Sequence, residues 1–315
     1  MCGLIIVLNY RIPFVSKMAG ELARVPALRS TITDEIFAAF DFPADGWQRK
    51  FLWPIFWFPA HLFASLAAGV DENTVKMGIP EAARRLLPRF VKEINVCGVE
   101  NIPREGPLVI ASNHPGAYDS VAIISSLPRN DLKIVVSDIP FLRNLPALGR
   151  HMIYTISGVH GRMTALRSMI RQVQEGGAVL IFPSGLVDPD PAVLPGAYQE
   201  LGAWSPSLEL VMRKVPEVKI LVTIVSGVLA PACLRNPLTR FPKVDWQKRK
   251  LAEFLQVMQQ LVFTRSFGLT PKISFAQPFT AKELLDNGDS SDILQLIISQ
   301  ARQLLAVHTG SSACH

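Results

Sequence analysis

A histidine and an aspartate five residues apart, His114 and Asp119, have the types and spacing needed for proton transfer. His114 follows Asn113 at the end of an apolar run, and Pro115 and Gly116 form a tight turn that lets the carboxylate fold back onto the imidazole. A carboxylate at one ring nitrogen fixes the tautomer and raises the basicity of the other nitrogen, which can then take a proton from a hydroxyl. The pair therefore predicts general-base chemistry.

The same aspartate has a purely structural interpretation. A helix is predicted from about Ser120, and Asp119 stands directly before it, where aspartate is a common N-cap residue. The His-Asp spacing by itself leaves both interpretations open.

A second candidate segment is the apolar run that ends in Pro183, Ser184 and Gly185. Backbone amides and a hydroxyl at the end of a buried strand suit a developing oxyanion or a phosphate. An ordinary strand-terminating turn is the alternative. Ser184 as a nucleophile is a third interpretation, although the Gly-x-Ser-x-Gly pattern of a hydrolase elbow is missing.

A third candidate is the segment 157–162 (SGVHGR), predicted to connect a strand to a helix. Its two glycines make the backbone permissive, and His160 and Arg162 are placed to reach an anion at the start of the helix. A solvent-facing loop with incidental charges explains the segment equally well.

The pattern that positions these residues is that of an α/β protein. From about residue 89, short β-branched runs alternate with amphipathic helices. We expect a mixed, mostly parallel central sheet flanked by helices, with a helical, apolar N-terminal region (residues 1–88) and an α/β domain (residues 89–315). Strands are predicted over residues 92–98, 108–112, 132–137, 152–156, 178–182, 219–225 and 272–275, and helices over residues 120–127, 164–174, 207–214, 248–263 and 291–306.

Composition indicates a chain that is apolar for its size. Of the 315 residues, 49% are hydrophobic and 18% are charged, and the mean hydropathy is +0.26. The net charge of +6 suits an anionic lipid surface or an anionic substrate. Basic tracts with interleaved aromatic residues are missing, so we expect no nucleic-acid partner. The cysteines form no close Cys/His pair, so we expect no metal site.

Residues 51–70 (FLWPIFWFPAHLFASLAAGV) contain no Asp, Glu, Lys or Arg. The segment is long enough to span a bilayer. Pro54 and Pro59 are expected to break its first half, and Trp53 and Trp57 prefer the membrane interface. We therefore predict a re-entrant or in-plane membrane-docking element. A buried helical hairpin and a true membrane span are the alternatives.

Together these motifs resemble the glycerolipid acyltransferase family, which includes the lysophosphatidate and glycerol-3-phosphate acyltransferases. The family's first motif, Asn-His followed by four residues and Asp, is complete at residues 113–119, and so is its HX4D core. The third motif, usually Phe-Pro-Glu-Gly-Thr-Arg, reads FPSGLV at residues 182–187, with Ser184 in place of the Glu and Val187 in place of the Arg. The resemblance covers roughly residues 90–280.

The resemblance implies an O-acyltransferase that needs no metal or other cofactor. His114 would deprotonate the acceptor hydroxyl, Asp119 would orient His114, and the hydroxyl would attack the thioester of an acyl-CoA or acyl-carrier protein. The acceptor would be a glycerol phosphate, a lysophospholipid or a related lipid alcohol, met at the cytoplasmic face of a membrane. The residues implied in substrate binding are Asn113, Gly116, Arg162, Pro183, Ser184 and Gly185, with Arg162 the first candidate and Arg150 the next for holding an acceptor phosphate.

Two other functions are compatible with the sequence. The altered third motif allows a non-catalytic lipid-binding or membrane-remodelling protein on the same scaffold. A thioesterase or lipid hydrolase that uses Ser184 is the other, but no further Asp-His pair is arranged around that serine.

Overall fold

A computed structural model describes residues 25–37, 46–240, 244–286 and 292–310. The chain divides into two compact units, Met1–Gly69 and Val70–His315. The predicted division of the domains after residue 88 stays a prediction.

The described part of the first unit is a pair of helices, α1 (residues 25–37) and the first part of α2 (Trp47–Met77). The ring of Phe37 meets that of Phe56 edge-on, with centroids 5.6 Å apart, and the guanidinium of Arg29 lies 4.9 Å from the centre of the Trp57 ring. These contacts hold one face of α2 against α1.

The apolar segment 51–70 lies within α2, which is one unbroken helix with Pro54 and Pro59 inside it. The prediction that these prolines divide the segment is therefore wrong, as is the helical hairpin. Among the described residues, one helical stretch, Arg49–Met77, is long and apolar enough to cross a membrane, by length and composition alone.

An exposed apolar stripe runs along α2. Its members are spaced at three or four residues, which places them on one face of the helix. Their exposed fractions range from 49% to 72%; they are Trp47, Phe51, Ile55 and Phe58.

The second unit is built on a seven-stranded sheet, in the order β1-β7-β6-β2-β5-β3-β4. All neighbouring strands are parallel except β6 and β7. The strands are β1 (Asn95–Cys97), β2 (Leu108–Ser112), β3 (Leu132–Ser137), β4 (Met152–Thr155), β5 (Ala178–Ile181), β6 (Lys219–Ser226) and β7 (Lys272–Phe275). The predicted mixed, mostly parallel α/β fold is confirmed.

Helices connect and cover these strands. They are α3 (Ile79–Leu86), α4 (Asp119–Ser126), α5 (Pro140–Arg143), α6 (Pro146–Gly149), α7 (Val159–Gln174), α8 (Ala197–Glu200), α9 (Ser207–Lys214), α10 (Pro231–Leu234), α11 (Asp245–Val262), α12 (Ala281–Asp286) and α13 (Ile293–Gly310). Short 3-10 turns occur at Leu87–Arg89, Val99–Asn101, Leu201–Ala203 and Pro237–Arg240.

The central strands are buried on both faces, as continuous apolar runs in parallel sheets require. One face packs on α7, α9 and α13, through residues such as Met169, Val211 and Ile298. The opposite face carries Leu108 and Ile110, which are also fully buried. This core makes the middle of the sheet rigid, and β2 lies at its centre.

Helix α7 begins at Val159, five residues before the predicted start at Thr164. The reason is a close approach that only glycine permits. A Cβ atom on Gly161 would lie 2.2 Å from the carbonyl oxygen of Ile156. His160 and Arg162 therefore belong to the first turn of a helix and not to a loop.

The last helix is fixed to the sheet through a buried histidine, His308. Its Nδ1 and Nε2 atoms each lie 2.8 Å from a serine hydroxyl, Ser274 in β7 and Ser226 at the end of β6. Burial, together with the charge of Lys272, lowers the pKa of His308 to about 4. The folded protein thus holds this imidazole neutral between two hydroxyls.

Acid should therefore destabilise the fold through His308. The unfolded chain binds a proton near pH 6.5 and the folded chain only near pH 4, so the contribution is complete above pH 6.5 and is lost as the pH falls towards 4. The loss amounts to roughly 3 kcal/mol. Urea unfolding at a series of pH values should show it in the wild type and in the control His160→Gln, but not in His308→Gln. Equal pH slopes for all three proteins would contradict the assignment.

Candidate functional site

The predicted pair forms at the carboxyl end of the central strand. Nδ1 of His114 lies 2.7 Å from Oδ2 of Asp119. The aspartate side chain is fully buried, whereas 29% of the histidine side chain is open to solvent. The carboxylate therefore holds the inner ring nitrogen, and the imidazole presents its other nitrogen, Nε2, away from this contact.

Asp119 is the first residue of α4 and not its N-cap, which is Tyr118, but its carboxylate still accepts backbone amides at the start of the helix. Its Oδ2 accepts a second hydrogen bond from the amide of Gly116, at 3.2 Å, and its Oδ1 accepts one from the amide of Ser120. A carboxylate at a helix N-terminus is stabilised by the unpaired amides and the helix dipole. The start of α4 thus supplies hydrogen-bond donors to the partner of His114.

Asn113 fixes the loop from the side of β6. Its side-chain nitrogen donates to the carbonyl of Val225 at 2.9 Å, and its side-chain oxygen accepts from the amide of Val225 at 2.8 Å. The amide group extends the parallel pairing of β2 and β6 by one step beyond the backbone ladder. Asn113 therefore positions His114, and its predicted contact with substrate stays a prediction.

The opposite side of the loop is held by Asp188. The amide of His114 donates to Oδ2 of Asp188 at 2.8 Å, and the amide of Asp188 donates to the carbonyl of His114 at 2.7 Å. The ring of Phe182 lies 4.5 Å from the imidazole, centre to centre. The peptide and the ring of His114 are thus both fixed by the segment that follows β5.

A second buried aspartate, Asp190, organises the loop that follows β6. Its two carboxylate oxygens accept four backbone amides at 2.8–3.0 Å, from Ala192, Gly227, Val228 and Leu229. This loop in turn reaches Gly116, where a Cβ atom would lie 3.4 Å from Val228. The repeated Asp-Pro at residues 188–191 is the sequence feature that corresponds to this arrangement. Buried carboxylates require hydrogen-bond donors, and backbone amides supply them here.

The family's third motif, residues 182–187, borders the same edge of the sheet. The amide of Gly185 donates to the carbonyl of Phe182 at 3.1 Å, which closes a turn, and the hydroxyl of Ser184 donates to the carbonyl of Leu186 at 3.2 Å. Pro183 is buried, and its carbonyl accepts the amide of Ser205. These donors serve the turn itself, so direct contacts of the three residues with a substrate stay predictions.

Comparison with known proteins agrees with this geometry. Residues 93–214 match the family model described as Acyltransferase. This part of the chain, which includes His114 and Ser184, is similar to acyltransferase domains, and the predicted resemblance is confirmed over these residues.

Among solved structures, the chain is similar to the 1-acyl-sn-glycerophosphate (LPA) acyltransferase PlsC from Thermotoga maritima. The identity is 16% and the TM-score 0.45, over 94% of this chain and 98% of that one. A search of the curated proteins gave no match.

Arg162, the first candidate for holding a phosphate, lies in the first turn of α7 and is exposed. This turn follows β4, and β5 and β3 lie between β4 and β2. At ~4.8 Å per strand, the start of α7 is about 14 Å from the end of β2 across the sheet. The structure therefore does not bring Arg162 together with His114, and its role in binding phosphate stays a prediction.

Helix α11, outside the residues matched by the acyltransferase model, supplies side chains that the sequence did not reveal. Gln256 donates to the carbonyl of Val228 at 2.7 Å and accepts the amide of Ala230 at 2.6 Å. One turn later, Gln260 accepts the phenol of Tyr118, the residue before Asp119. Polar residues at 256 and 260 on a helix that also buries Ala252 and Leu261 were a possible signal for this helix facing the site.

Glu253 lies on the same face of α11 as Gln256 and Gln260, and its carboxyl interacts electrostatically with His114 and Asp119. Burial raises the pKa of its carboxyl to about 7, against the opposing effect of the His114 charge, and the charge of Asp119 adds to the rise. A carboxyl group that titrates near neutrality thus borders the site.

The charge of His114 is set by its acidic neighbours. Burial by itself lowers the pKa of the imidazole, but the charge and hydrogen bond of Asp119, with the charges of Glu253 and Asp188, raise it to about 9. Among the described residues, no group of three His, Cys, Asp or Glu side chains could hold a metal ion. The imidazole of His114, with part of its side chain open to solvent, can accept and return one proton.

Neutralising Asp119 should lower the pKa of His114. Asp119→Asn keeps the size of the side chain and removes the charge, which should lower the value by about 1–3 pH units. NMR titration of the labelled imidazole measures the change directly. Asp138→Asn, which removes a carboxylate from an exposed ion pair with Arg143, is the matched control. An unchanged pKa in Asp119→Asn would rule out Asp119 as the main cause.

Proposed function

We propose that this chain transfers a fatty acyl group from acyl-CoA or acyl-carrier protein to a hydroxyl of a glycerol phosphate, a lysophospholipid or a related lipid alcohol. The observation that supports the proposal is the 2.7 Å contact between His114 and a fully buried Asp119. The pair lies at the carboxyl end of β2, within the residues that match the acyltransferase model. Such a pair is the arrangement that activates a hydroxyl.

In the proposed reaction, Nε2 of His114 takes the proton of the acceptor hydroxyl as its oxygen attacks the thioester carbonyl. The tetrahedral intermediate then breaks its carbon–sulfur bond. The leaving thiolate takes the proton back from the imidazolium, which gives an ester and a free thiol. Asp119 stabilises the imidazolium throughout and keeps Nδ1 protonated, so that Nε2 is the atom that exchanges the proton.

Replacement of His114 by Ala should lower acyl transfer by about 10²–10⁴-fold. The measurement is the formation of acylated lipid from an isotopically labelled acyl-CoA and a panel of acceptors, read by mass spectrometry. Because only a neutral imidazole can take a proton, the wild-type kcat/KM should also rise with pH up to about 9, in line with the raised pKa. The residual activity of the variant should lack this rise.

His160→Ala is the matched control, since this histidine is exposed in the first turn of α7. Melting curves of both variants separate loss of chemistry from loss of fold. Equal turnover in His114→Ala and wild type would exclude the mechanism. Lipid binding without acyl transfer by the wild type would instead favour the non-catalytic alternative.

The proposed location is a membrane surface, the cytoplasmic face, where the exposed Lys50, close to the apolar stripe, would meet anionic lipid. Exposed aromatic and aliphatic side chains along a helix are typical of membrane docking. The last part of α2 is hydrogen-bonded to another segment of the chain. Asp71 is buried and accepts the amides of Ala147 and Leu148, each at 2.9 Å. Docking through the first part of α2 therefore suits the structure better than a span across its whole length.

Removing apolar side chains from the stripe should weaken this docking. The double substitution Phe51→Ser and Ile55→Ser should lower binding to vesicles of mixed neutral and anionic lipid by at least about tenfold. Val75→Ser is the matched control, because Val75 is 74% exposed on the same helix but lies on another face. Flotation of the purified proteins with vesicles measures the difference. Equal binding of the double variant and the control would contradict the proposed surface.

A further inference from the structure

A pocket of about 580 Å³ lies between the segment after Asp188 and the start of α11. Its walls include the apolar residues Pro189 and Leu234 and the cationic residues Arg240, Lys248 and Arg249. Pockets of this volume take part or all of a small organic ligand. Apolar walls with three cations at one side suit an anionic group carried on a longer, less polar molecule.

The pocket adjoins the catalytic loop on two sides. Pro189 directly follows Asp188, whose carboxylate and amide are both hydrogen-bonded to the backbone of His114. On α11, Arg249 and Glu253 are one turn apart, about 6 Å along the axis, and the carboxyl of Glu253 is electrostatically coupled to His114. A ligand in the pocket would therefore lie within a few side-chain lengths of the reacting atoms.

The charge of the pocket is positive after its internal pairs are counted. Lys248 lies 2.9 Å from Asp245, whose side chain is 80% exposed, so solvent screens this pair strongly. Arg249 is 3.9 Å from Glu200, at the limit of an ion pair. Arg240, at the end of its 3-10 turn, is exposed. Three cations thus face two carboxylates, neither of which is a close, buried partner.

Arg249 contacts the third motif at its altered position. Its Nε donates to the carbonyl of Val187 at 2.8 Å, and its side chain is only 12% exposed. Val187 is the position at which the third motif has lost its arginine. Helix α11 therefore brings a guanidinium from a distant part of the chain to the backbone of this position, and the hydrogen bond to the carbonyl holds it there.

We propose that this pocket binds a phosphate group of the substrate that reacts at His114, through Arg240, Lys248 and Arg249. The inference rests on the proposed function in taking the ligand to be a substrate of acyl transfer. Guanidinium and ammonium groups in a partly apolar pocket are suited to phosphate recognition. The phosphate belongs either to the donor, as in the CoA or phosphopantetheine arm, or to the acceptor, as in a lysophosphatidate.

The test compares substrates with and without phosphate in the double variant Arg240→Gln and Lys248→Gln. For the donor, a long-chain acyl-CoA is compared with the acyl-N-acetylcysteamine thioester; for the acceptor, a lysophosphatidate is compared with a monoacylglycerol. The ratio of the KM with phosphate to the KM without it should rise by about 10- to 100-fold in one of the two pairs. The pair in which it rises identifies the source of the phosphate.

Two controls keep the result interpretable. Arg171→Gln removes an exposed cation, paired with Glu175 on α7, and should leave both ratios as in the wild type. The double variant Arg240→Lys and Lys248→Arg keeps both positive charges. Its KM ratios should therefore stay close to those of the wild type. Unchanged ratios in the double Gln variant, or equal changes with all four substrates, would overturn the proposal.

Direct binding separates this proposal from the proposed function. Calorimetric titration of the wild type with CoA and with glycerol 3-phosphate needs no turnover. Binding that falls at least about tenfold in the double Gln variant supports the phosphate site even if no acyl transfer is found. Acyl transfer with unaltered phosphate dependence in the variant leaves the proposed function standing and overturns the site.

Discussion

A carboxylate without water must be surrounded by hydrogen-bond donors, and the structure around His114 follows from this constraint. Asp119 is fully buried and receives the imidazole and two backbone amides. Leaving such a charge unpaired in the interior would cost several kcal/mol. The tight turn at Pro115 and Gly116 and the start of α4 are the local features that bring these donors to one point. The same arrangement leaves part of the imidazole open to solvent and raises its pKa.

The loops around this pair are held by the same chemistry. Asp188 binds the amide of His114, and Asp190 gathers four amides, three of them from the loop after β6. Asn113 does with a neutral amide what these residues do with a carboxylate. Because β2 lies between β6 and β5, the loops that follow these three strands meet at one edge. The site is thus rigid through backbone hydrogen bonds rather than through the packing of large side chains.

Helix α11 closes this region from a distant part of the sequence. Arg249, Glu253, Gln256 and Gln260 repeat at helical spacing along one face, and each interacts with a segment that surrounds the catalytic pair. The altered third motif therefore does not leave the site without charged groups. The change in residue type at Ser184 and Val187 is accompanied by the carboxyl of Glu253 and the guanidinium of Arg249 on α11. Arg249 is one of the three cations that line the pocket next to Pro189.

The sequence by itself determined the class of fold and the contact between His114 and Asp119. Alternation of strands and helices, and buried β-branched runs such as β2 and β6, are local patterns, and the spacing of His114 and Asp119 around one turn is local too. It could not determine whether 51–70 forms a hairpin or one helix, because proline can lie within a helix where neighbouring contacts compensate. It also did not show that α11, whose helical pattern was predicted, lies against the loops around His114. Which distant segments meet at an edge depends on the order of strands and on long-range packing, and only the tertiary structure fixes those.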